Sequence, residues 1–200
     1  VSAAARVVVA TRNPGKLAEL RRLLAGCAWE LVEMDAAGFS GDLEEPCDTY
    51  EGNATAKAVA LLAATGMAAI ADDSGIEVPA LDGWPGPRSA RWMGDGAGDR
   101  DRLDGLLAEV GRRCPTDPRA RYLCVVCLAR PGMEPVRARG ETWGVLVAPR
   151  GQGGFGYDPS FLSDDLGITF GEASAEAKDR VSHRARAIAA LLAAVGGRDA

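Results

Sequence analysis

The chain has 200 residues, of which 47% are hydrophobic and 26% charged, and its formal net charge at pH 7 is -5. This length and composition favour one globular domain, residues 1–200, over wholesale disorder. The negative charge argues against a broad basic surface for binding a nucleic acid polymer, but not against a small anion in a local basic pocket. No apolar run approaches the roughly 18 residues that span a bilayer, and the first ten residues do not resemble a signal peptide, so we expect a soluble cytoplasmic protein with no membrane contact.

The basic residues have an unusual composition. Only three of the 23 lysines and arginines are lysines, namely Lys16, Lys57 and Lys178, and His183 is the only histidine. Arginine does not replace lysine where a compact point charge is needed. We therefore treat these four positions as candidate functional residues.

Five cysteines are present, including Cys124 and Cys127 in the apolar run Tyr122–Leu128. On a strand, residues three apart face opposite sides, so these two thiols do not suit a metal pair. Buried, reduced cysteines are the favoured interpretation.

The first half of the chain alternates apolar runs with helical patterns. Leu17, Leu20 and Leu24 recur at helical spacing, and Gly66 is placed to end a second helix. The predicted elements are a strand at 6–10, a turn at 11–16, a helix to Gly26, a strand at 29–34, a loop at 35–49, a helix at 50–65 and a strand at 67–71.

The second half is predicted to contain a long hairpin and two helices. Two strand-like stretches, 120–129 and 136–147, flank a turn at Pro131-Gly132. The other predicted elements are a loop at 83–98, a helix at 99–110 with Leu103, Leu106 and Leu107 inward, a glycine-rich loop at 151–159 and a last helix with Ile188, Leu191, Leu192 and Val195 as its apolar stripe. This order predicts an α/β or α+β domain on a mixed sheet.

Polar residues collect just after the predicted strands, where open α/β sheets often bind ligands. Thr11, Asn13 and Lys16 surround a Pro-Gly turn that would direct backbone N–H groups and a helix N-terminus at an anion. An ordinary strand-to-helix turn with a solvated lysine is equally compatible with this pattern. Further along, Asn53 and Lys57 share a helix face and follow the acidic pair Glu44-Glu45.

Asp72-Asp73-Ser74-Gly75 follows an apolar strand, where two adjacent carboxylates are costly unless a cation or hydrogen bonds compensate them. Oxygen ligands of this kind suit Mg²⁺, and one carboxylate could act as a base on a water molecule. A turn whose aspartates cap backbone amides is the structural alternative.

Two more clusters come from the C-terminal third. In the segment 153–159, Phe155 stands between glycines, which suits stacking on a flat base, and Asp158 could accept a hydrogen bond from a ring N–H. Lys178 precedes Ser182-His183-Arg184 at the start of the last helix, where Ser182 is a candidate N-cap. Taken together, the clusters supply lysines for phosphates, carboxylates for Mg²⁺, an aromatic ring for a base and donors for its edge.

These motifs resemble those of the Ham1/inosine triphosphate pyrophosphatase family, in the same order and nearly end to end. The matching segments are Thr11–Lys16, Glu44-Glu45, Asn53–Ala58, Ala71–Gly75, Pro85-Gly86, Ser89–Arg91, Gly153–Pro159 and Ser182–Arg184. The resemblance implies an α/β fold with an elongated mixed sheet flanked by helices and two lobes around a cleft. It also implies a homodimer and Mg²⁺-assisted hydrolysis of ITP, dITP and XTP to the monophosphate and pyrophosphate.

The resemblance also assigns residues. Asp73 is implied as general base and metal-associated carboxylate, and Glu45 and Asp72 as further metal-binding carboxylates. The implied phosphate-binding residues are Thr11, Arg12, Asn13, Pro14, Gly15, Lys16 and Lys57. The implied nucleoside and base pocket consists of Ser74, Phe155, Gly156, Tyr157, Asp158, Lys178, His183 and Arg184.

One departure from the family pattern falls beside the implied metal site, where Pro46-Cys47 replaces the usual Thr-Gly. Two alternative functions are also compatible with the residues. One is a Maf-like pyrophosphatase acting on pyrimidine or modified nucleotides, and the other is a non-catalytic nucleotide sensor.

Overall fold

The computed structural model describes residues 5–94 and 96–196. Within these residues lie seven strands and five α-helices. They are β1 (Ala5–Val9), α1 (Pro14–Leu23), β2 (Trp29–Glu33), α2 (Tyr50–Thr65), β3 (Ala68–Val78), β4 (Trp84–Pro85), α3 (Asp99–Arg113), β5 (Arg119–Ala129), β6 (Val136–Leu146), β7 (Phe161–Ser163), α4 (Ala175–Val181) and α5 (His183–Gly196).

The strands form one mixed sheet in the order β2-β1-β3-β5-β6-β7, with β4 paired to β3. Strand β1 is parallel to both of its neighbours, and Val8 lies opposite Val32 on one side and Ala69 on the other. Strands β4 and β7 pair antiparallel to β3 and β6. The predicted α/β fold with a mixed sheet flanked by helices is confirmed.

The chain forms two compact units. Among the described residues, unit 1 contains 5–73, 124–140 and 184–196, whereas unit 2 contains 74–94, 96–123 and 141–183. The chain passes from one unit to the other within β3, β5 and β6 and at the junction of α4 with α5.

Unit 1 has a core of aliphatic side chains from helices α1 and α5 and strands β1, β3, β5 and β6. Its buried members are Val7, Val9, Leu20, Leu24, Ile70, Cys124, Val126, Leu128, Val136, Ala187, Ile188, Leu191 and Val195. Burying a side chain of this size stabilises the fold by about 1.5–3 kcal/mol relative to exposure. The apolar stripe predicted for the last helix is the face of α5 that packs in the core of unit 1.

Unit 2 has a core that is richer in aromatic rings. Its buried members are Ile76, Val78, Leu81, Leu103, Leu106, Val110, Cys114, Ala120, Tyr122, Leu146, Tyr157, Phe161 and Phe170. As predicted, helix α3 turns Leu103 and Leu106 inward, and Leu107 packs partly buried against the same core.

Helix α2 has the predicted limits, because both of its ends carry the expected capping groups. The Thr49 side chain accepts a hydrogen bond from the Gly52 amide at the N-terminus. At the other end Gly66 takes a left-handed conformation, with φ of 69°, which ordinary residues avoid.

The observed β3 differs most from prediction. The prediction ended this strand at residue 71, but β3 continues to Val78, so Asp72 and Asp73 lie within a strand and not on a turn after it. The predicted alternative of a capping turn is therefore wrong. Backbone pairing in the sheet continues through these polar residues because cations and hydrogen-bond donors meet their carboxylates, as described below.

Smaller differences concern short elements. Helix α1 already begins at Pro14, so residues 14–16 form its first turn and not the predicted connecting turn. Strand β7 and helix α4 were not predicted, since three and seven residues are too few to show a period. No helix in the described part of the chain has the length and apolarity needed to cross a bilayer.

Candidate active site

The N-terminus of α1 is organised by three neighbouring polar residues. The Asn13 side chain caps the helix by accepting from the Lys16 amide at 3.1 Å, and Thr11 Oγ1 accepts from the Asn13 amide at 3.1 Å. Pro14 occupies the first turn, where its missing N–H costs nothing. Helix N-termini with free amides attract anions, and the side chain of Lys16 starts from this same turn.

Asp72 lies between two cations in unit 1. Its Oδ2 is 3.1 Å from Lys16 Nζ and 3.0 Å from an Arg184 guanidinium nitrogen. Arg184 also binds Glu19 of helix α1. A continuous charged chain thus runs Lys16–Asp72–Arg184–Glu19, and only Lys16 has appreciable exposure, at 18% of its side chain.

Asp73 meets a different set of partners. Its Oδ2 accepts from Asn53 Nδ2 at 3.0 Å, and its Oδ1 is 3.6 Å from Lys57 Nζ. Lys57 also donates to Glu45 Oε1 at 2.6 Å. Because neighbouring residues of a strand point to opposite faces, Asp72 and Asp73 can serve these two separate sets of partners. We call the seven charged residues of both sets the charged cluster: Lys16, Glu19, Glu45, Lys57, Asp72, Asp73 and Arg184.

The two aspartates have opposite protonation behaviour. Burial by itself would raise the pKa of Asp72, but the charges of Lys16, Arg184 and Lys57 together lower it well below the ordinary value. Burial also raises the pKa of Asp73; Lys57 opposes this effect and the nearby Glu45 carboxylate adds to it, so that pKa ends above the ordinary value. Asp72 is therefore a fixed anion, whereas Asp73 is the carboxylate that can take up a proton more readily.

The segment that carries Glu45 is attached to helix α2. Asn53 Oδ1 accepts from the Cys47 amide at 2.8 Å, so this one side chain bonds both the 45–47 segment and Asp73. Gly52 permits the close approach, because a Cβ there would lie 2.6 Å from the Cβ of Cys47. Although Pro46-Cys47 departs from the family pattern, Glu45 still accepts a hydrogen bond from Lys57.

The carboxylates of Glu45 and Asp73 fit a divalent cation in one respect. Both point at a single cationic centre, the Lys57 ammonium, whose pKa is raised because these acids and Asp72 outweigh the effect of burial. Within the described residues no group of three or more His, Cys, Asp or Glu side chains is placed to hold a metal ion. Two carboxylates suit Mg²⁺, which keeps several waters and binds substrate phosphates.

Arg12, assigned to the substrate by resemblance, binds the loop that follows β2. Its guanidinium is 3.2 Å from Asp35 Oδ1 and donates to the Gly41 carbonyl at 2.9 Å. The side chain is 42% exposed, so its contacts with this loop are solvated.

Unit 2 contains a second group of predicted site residues around Asp158. Asp158 is 1% exposed, and its carboxylate accepts from Tyr122 Oη at 3.2 Å, from the Phe155 amide at 2.9 Å and from Lys178 Nζ. Gly154 has a φ of 69°, and a Cβ there would lie 2.0 Å from Asp158 Oδ2. The glycine therefore lets the loop fold tightly over this carboxylate.

Aromatic rings surround the Lys178–Asp158 pair. Lys178 Nζ lies 4.8 Å from the centre of the Phe155 ring, and His183 stacks on Tyr122 with ring centres 4.5 Å apart and planes 8° apart. We call this set the aromatic cluster: Tyr122, Phe155, Tyr157, Asp158, Phe170, Lys178 and His183. A half-buried ring beside a lysine is a suitable surface for a flat heterocycle.

Tyr157 has a structural role within this cluster. Its hydroxyl donates to the Ser89 carbonyl at 2.7 Å and accepts from Trp92 Nε1 at 2.9 Å. Burial raises the pKa of Tyr157 to about 12. Its side chain anchors the glycine-rich loop.

The placement of Arg184 differs from its predicted role as a donor to the base. Its guanidinium is buried and binds Asp72 and Glu19, because two carboxylates compensate its charge there. The predicted N-cap residue Ser182 ends helix α4 and directly precedes α5. Ser74 lies on β3 directly after Asp73, at intermediate burial.

Sequence reasoning did not single out three residues that support these clusters. Glu19 shares a helix with Lys16 three residues away, and that spacing was the available signal. Tyr122 lies at the start of the apolar run Tyr122–Leu128, where an aromatic residue is expected simply as part of the core. Asp99, which accepts from the Gly156 amide at 2.9 Å, starts a helix, where acidic residues are common.

Over nearly its whole length the chain is similar to proteins of one known family. The sequence profile of the Ham1 family matches residues 7–194. The dITP/XTP pyrophosphatase of Deinococcus radiodurans is 47% identical over 192 residues, which cover 96% of this chain and 93% of that protein. That of Symbiobacterium thermophilum is 46% identical over 189 residues, covering 94% and 93%.

Solved structures give the same result. The Ham1 protein of Staphylococcus aureus superposes with a TM-score of 0.85 at 35% identity, covering 96% of this chain and 99% of that one. The nucleoside-triphosphatase / dITP/XTP pyrophosphatase of Mycobacterium abscessus gives a TM-score of 0.74 at 40% identity, covering 94% and 98%. This chain belongs to the Ham1 family, and the predicted resemblance is confirmed.

Proposed function

We propose that this chain hydrolyses the non-canonical purine nucleoside triphosphates ITP, dITP and XTP between the α- and β-phosphates. The products are the nucleoside monophosphate and pyrophosphate, so the reaction removes these nucleotides from the pool. The observation that carries the proposal is the environment of Asp73, a buried carboxylate with a raised pKa held by Asn53 and Lys57. Family membership and the names of the relatives support the substrate class.

The charged cluster is proposed to bind the triphosphate. Lys16 and Lys57 supply positive charge, and the amides at the N-terminus of α1 supply hydrogen-bond donors. Asp72 holds Lys16 in place and is itself held by Arg184. Phosphates that bind Lys16 replace solvent at its exposed side, whereas its contact with Asp72 is retained.

Asp73 is proposed as the general base. Asn53 bonds Oδ2, and Oδ1, which lies 3.6 Å from Lys57 Nζ, is the oxygen proposed to accept the proton of the attacking water. Glu45 and Asp73 would hold Mg²⁺, with Asp72 adding negative charge nearby, and bound Mg²⁺ supplies charge neutralisation for phosphate oxygens. The raised pKa of Asp73 makes it a better proton acceptor than an ordinary aspartate.

The aromatic cluster is proposed to bind the purine. Phe155 stacks on the base, and Lys178 and His183 donate hydrogen bonds toward the 6-oxo group of hypoxanthine or xanthine. Adenine presents a 6-amino donor there, which would leave the donors of the protein unpaired, and such mismatches are strongly discriminated. Ser74, Gly156, Tyr157 and Asp158 shape this pocket and its loop.

We also propose that the enzyme acts as a cytoplasmic homodimer. The five free cysteines suit a reducing compartment. Light scattering coupled to size exclusion is expected to give twice the mass of one chain, and a monomer at working concentration would contradict the dimer.

The decisive experiment is a nucleotide panel with Mg²⁺ and identification of both products. We expect ITP, dITP and XTP to yield monophosphate and pyrophosphate, with ATP, which lacks the 6-oxo group, much slower. Preferential hydrolysis of UTP or dTTP would instead support a Maf-like activity. Release of diphosphate and phosphate would contradict the proposed bond, and binding without turnover would indicate a sensor.

A further inference from the structure

Two consecutive amides of the glycine-rich loop each bind a carboxylate. The Phe155 amide donates to Asp158 Oδ2 at 2.9 Å, and the Gly156 amide donates to Asp99 Oδ2 at 2.9 Å. Asp158 is three residues from its partner, but Asp99 comes from 57 residues away, at the first position of helix α3. The second bond therefore ties the loop to a separate element of unit 2.

The loop needs such attachment, because its sequence does not determine its conformation. Gly154 and Gly156 both have positive φ, of 69° and 61°, and glycine reaches many other conformations at similar cost. Phe155 stands between them, and its ring lies 4.8 Å from Lys178 Nζ. A change in the backbone torsions at Phe155 or Gly156 would move the Phe155 ring relative to Lys178.

The Asp99 carboxylate is itself fixed. Its Oδ1 pairs with an Arg102 guanidinium nitrogen at 2.5 Å, and Arg102 also donates to the Ala97 carbonyl. Asp101, in the same first helical turn, has a different task, because its Oδ2 accepts from the Gly98 amide at 2.8 Å and caps the helix. Asp99 therefore attaches the loop, whereas Asp101 caps the helix.

We propose that Asp99 is a positioning residue for purine binding, which it serves by holding the Gly156 amide and thereby the direction of the Phe155 ring. This inference rests on the proposed function of the loop in binding the base. Asp99 belongs to unit 2, whereas the proposed base Asp73 and the proposed phosphate-binding lysines Lys16 and Lys57 belong to unit 1. Its loss is therefore expected to weaken nucleotide binding and leave the chemical step nearly unchanged.

Three variants distinguish loss of the hydrogen bond to Gly156 from loss of the ion pair with Arg102 and from loss of the helix cap. Asp99→Ala removes the acceptor and is expected to raise the KM for ITP about tenfold, the ratio that corresponds to ~1.4 kcal/mol, with kcat within about twofold. Asp99→Asn keeps an oxygen that can accept from Gly156 but loses the ion pair with Arg102, and it is expected to restore a near wild-type KM. Asp101→Ala, the matched control, loses the helix cap and is expected to keep the wild-type KM.

Amide hydrogen exchange supplies a readout that does not depend on activity. Asp99→Ala is expected to accelerate exchange in peptides covering 153–158, whereas Asp99→Asn and Asp101→Ala leave it unchanged. The inference would be overturned if Asp99→Ala left both the KM for ITP and the exchange rate of peptides 153–158 unchanged. It would also be overturned if Asp99→Asn or Asp101→Ala raised KM and exchange as much as Asp99→Ala does. If the wild-type protein hydrolysed none of ITP, dITP and XTP, the proposed function would fall, and the exchange data would still decide whether Asp99 holds the loop.

Discussion

The charged cluster of unit 1 and the aromatic cluster of unit 2 achieve order in different ways. In the charged cluster, four carboxylates and three cations are ion-paired largely out of solvent, so the position of each side chain depends on the charge of its neighbour. In the aromatic cluster the ion pair Lys178–Asp158 is surrounded by rings and backbone amides. The first is suited to a ligand that brings charge, and the second to one that brings a flat surface.

This difference implies that the two clusters tolerate change differently. Removal of one charge leaves its buried partner uncompensated, which is expensive in a low-dielectric interior. Removal of one ring or hydroxyl leaves a space or an unmade hydrogen bond, which costs less. Substitutions in the charged cluster are therefore expected to cost more than substitutions in the aromatic cluster.

The substitution Asp73→Asn is expected to have the largest effect, a loss of turnover of roughly 10²–10⁴-fold, because it removes the proposed base. An asparagine oxygen still accepts from Asn53, so ITP binding is expected to stay within about tenfold of wild type. Pyrophosphate release measures the first quantity and calorimetric titration the second. Asp104→Asn, an exposed change on α3, serves as the control, and full activity in Asp73→Asn would refute the assignment.

Next in size is the effect of Arg184→Met on stability. This change leaves Asp72 and Glu19 buried without their shared cation, and the free energy of unfolding is expected to fall by about 3–5 kcal/mol. Urea unfolding at neutral pH measures the loss. The matched change Arg180→Met, at an exposed position of α4, is expected to alter it by less than about 0.5 kcal/mol. Similar small values for both variants would show that the charged cluster does not depend on Arg184.

A third effect appears only at high pH. The pKa of Tyr157 is raised to about 12, so the unfolded chain loses the phenolic proton first as pH rises, and stability falls above the unfolded value of about 10. The stabilisation that un-ionised Tyr157 contributes is present in full below pH 10. At pH 11 the free energy of unfolding has fallen by about 1.4 kcal/mol on this account. In Tyr157→Phe the decline in unfolding free energy from pH 9 to 11 is expected to be smaller by this amount. Parallel declines in the two proteins would argue against a buried, un-ionised Tyr157.

The smallest effect is expected from a helix cap in unit 2. Ser174 Oγ accepts from the Ala177 amide at 3.1 Å at the start of α4, the helix that carries Lys178. Ser174→Ala is expected to lower the free energy of unfolding by about 1 kcal/mol, and Ser174→Asp to recover it. Thermal unfolding of the three proteins provides the measurement, and a loss as large as that of Arg184→Met would break the contrast drawn above.

The contrast also explains which parts were predictable from the sequence. Helix α2 and the apolar stripe of α5 were found because spacing and capping residues repeat over many positions. The end of β3 was not, because a pattern of apolar residues stops at Asp72 although the backbone pairing continues through it. What keeps that strand going is a set of cations and amides supplied by α1, α2 and α5, and pairing over such sequence distances leaves no local signal.

The candidate site shows the same division. The three lysines stood out by their rarity, and each of them is ion-paired with an aspartate in the structure. The partners of those aspartates were less visible. Arg184 was assigned to the base pocket by resemblance to the family, yet its guanidinium binds Asp72 and Glu19. A sequence shows which charges exist, whereas their pairing depends on which faces of the elements meet.

Gly52 has a consequence for anyone who would engineer this protein. A glycine inside a helix invites replacement by alanine, which is better suited to helices by about 1 kcal/mol. Here the added methyl group would lie 2.6 Å from the Cβ of Cys47 and 2.9 Å from Thr49 Oγ1, so the 45–47 segment that carries Glu45 would have to move. The routine stabilising substitution would therefore act on the carboxylate proposed to hold the metal, at a helix position with no functional group of its own.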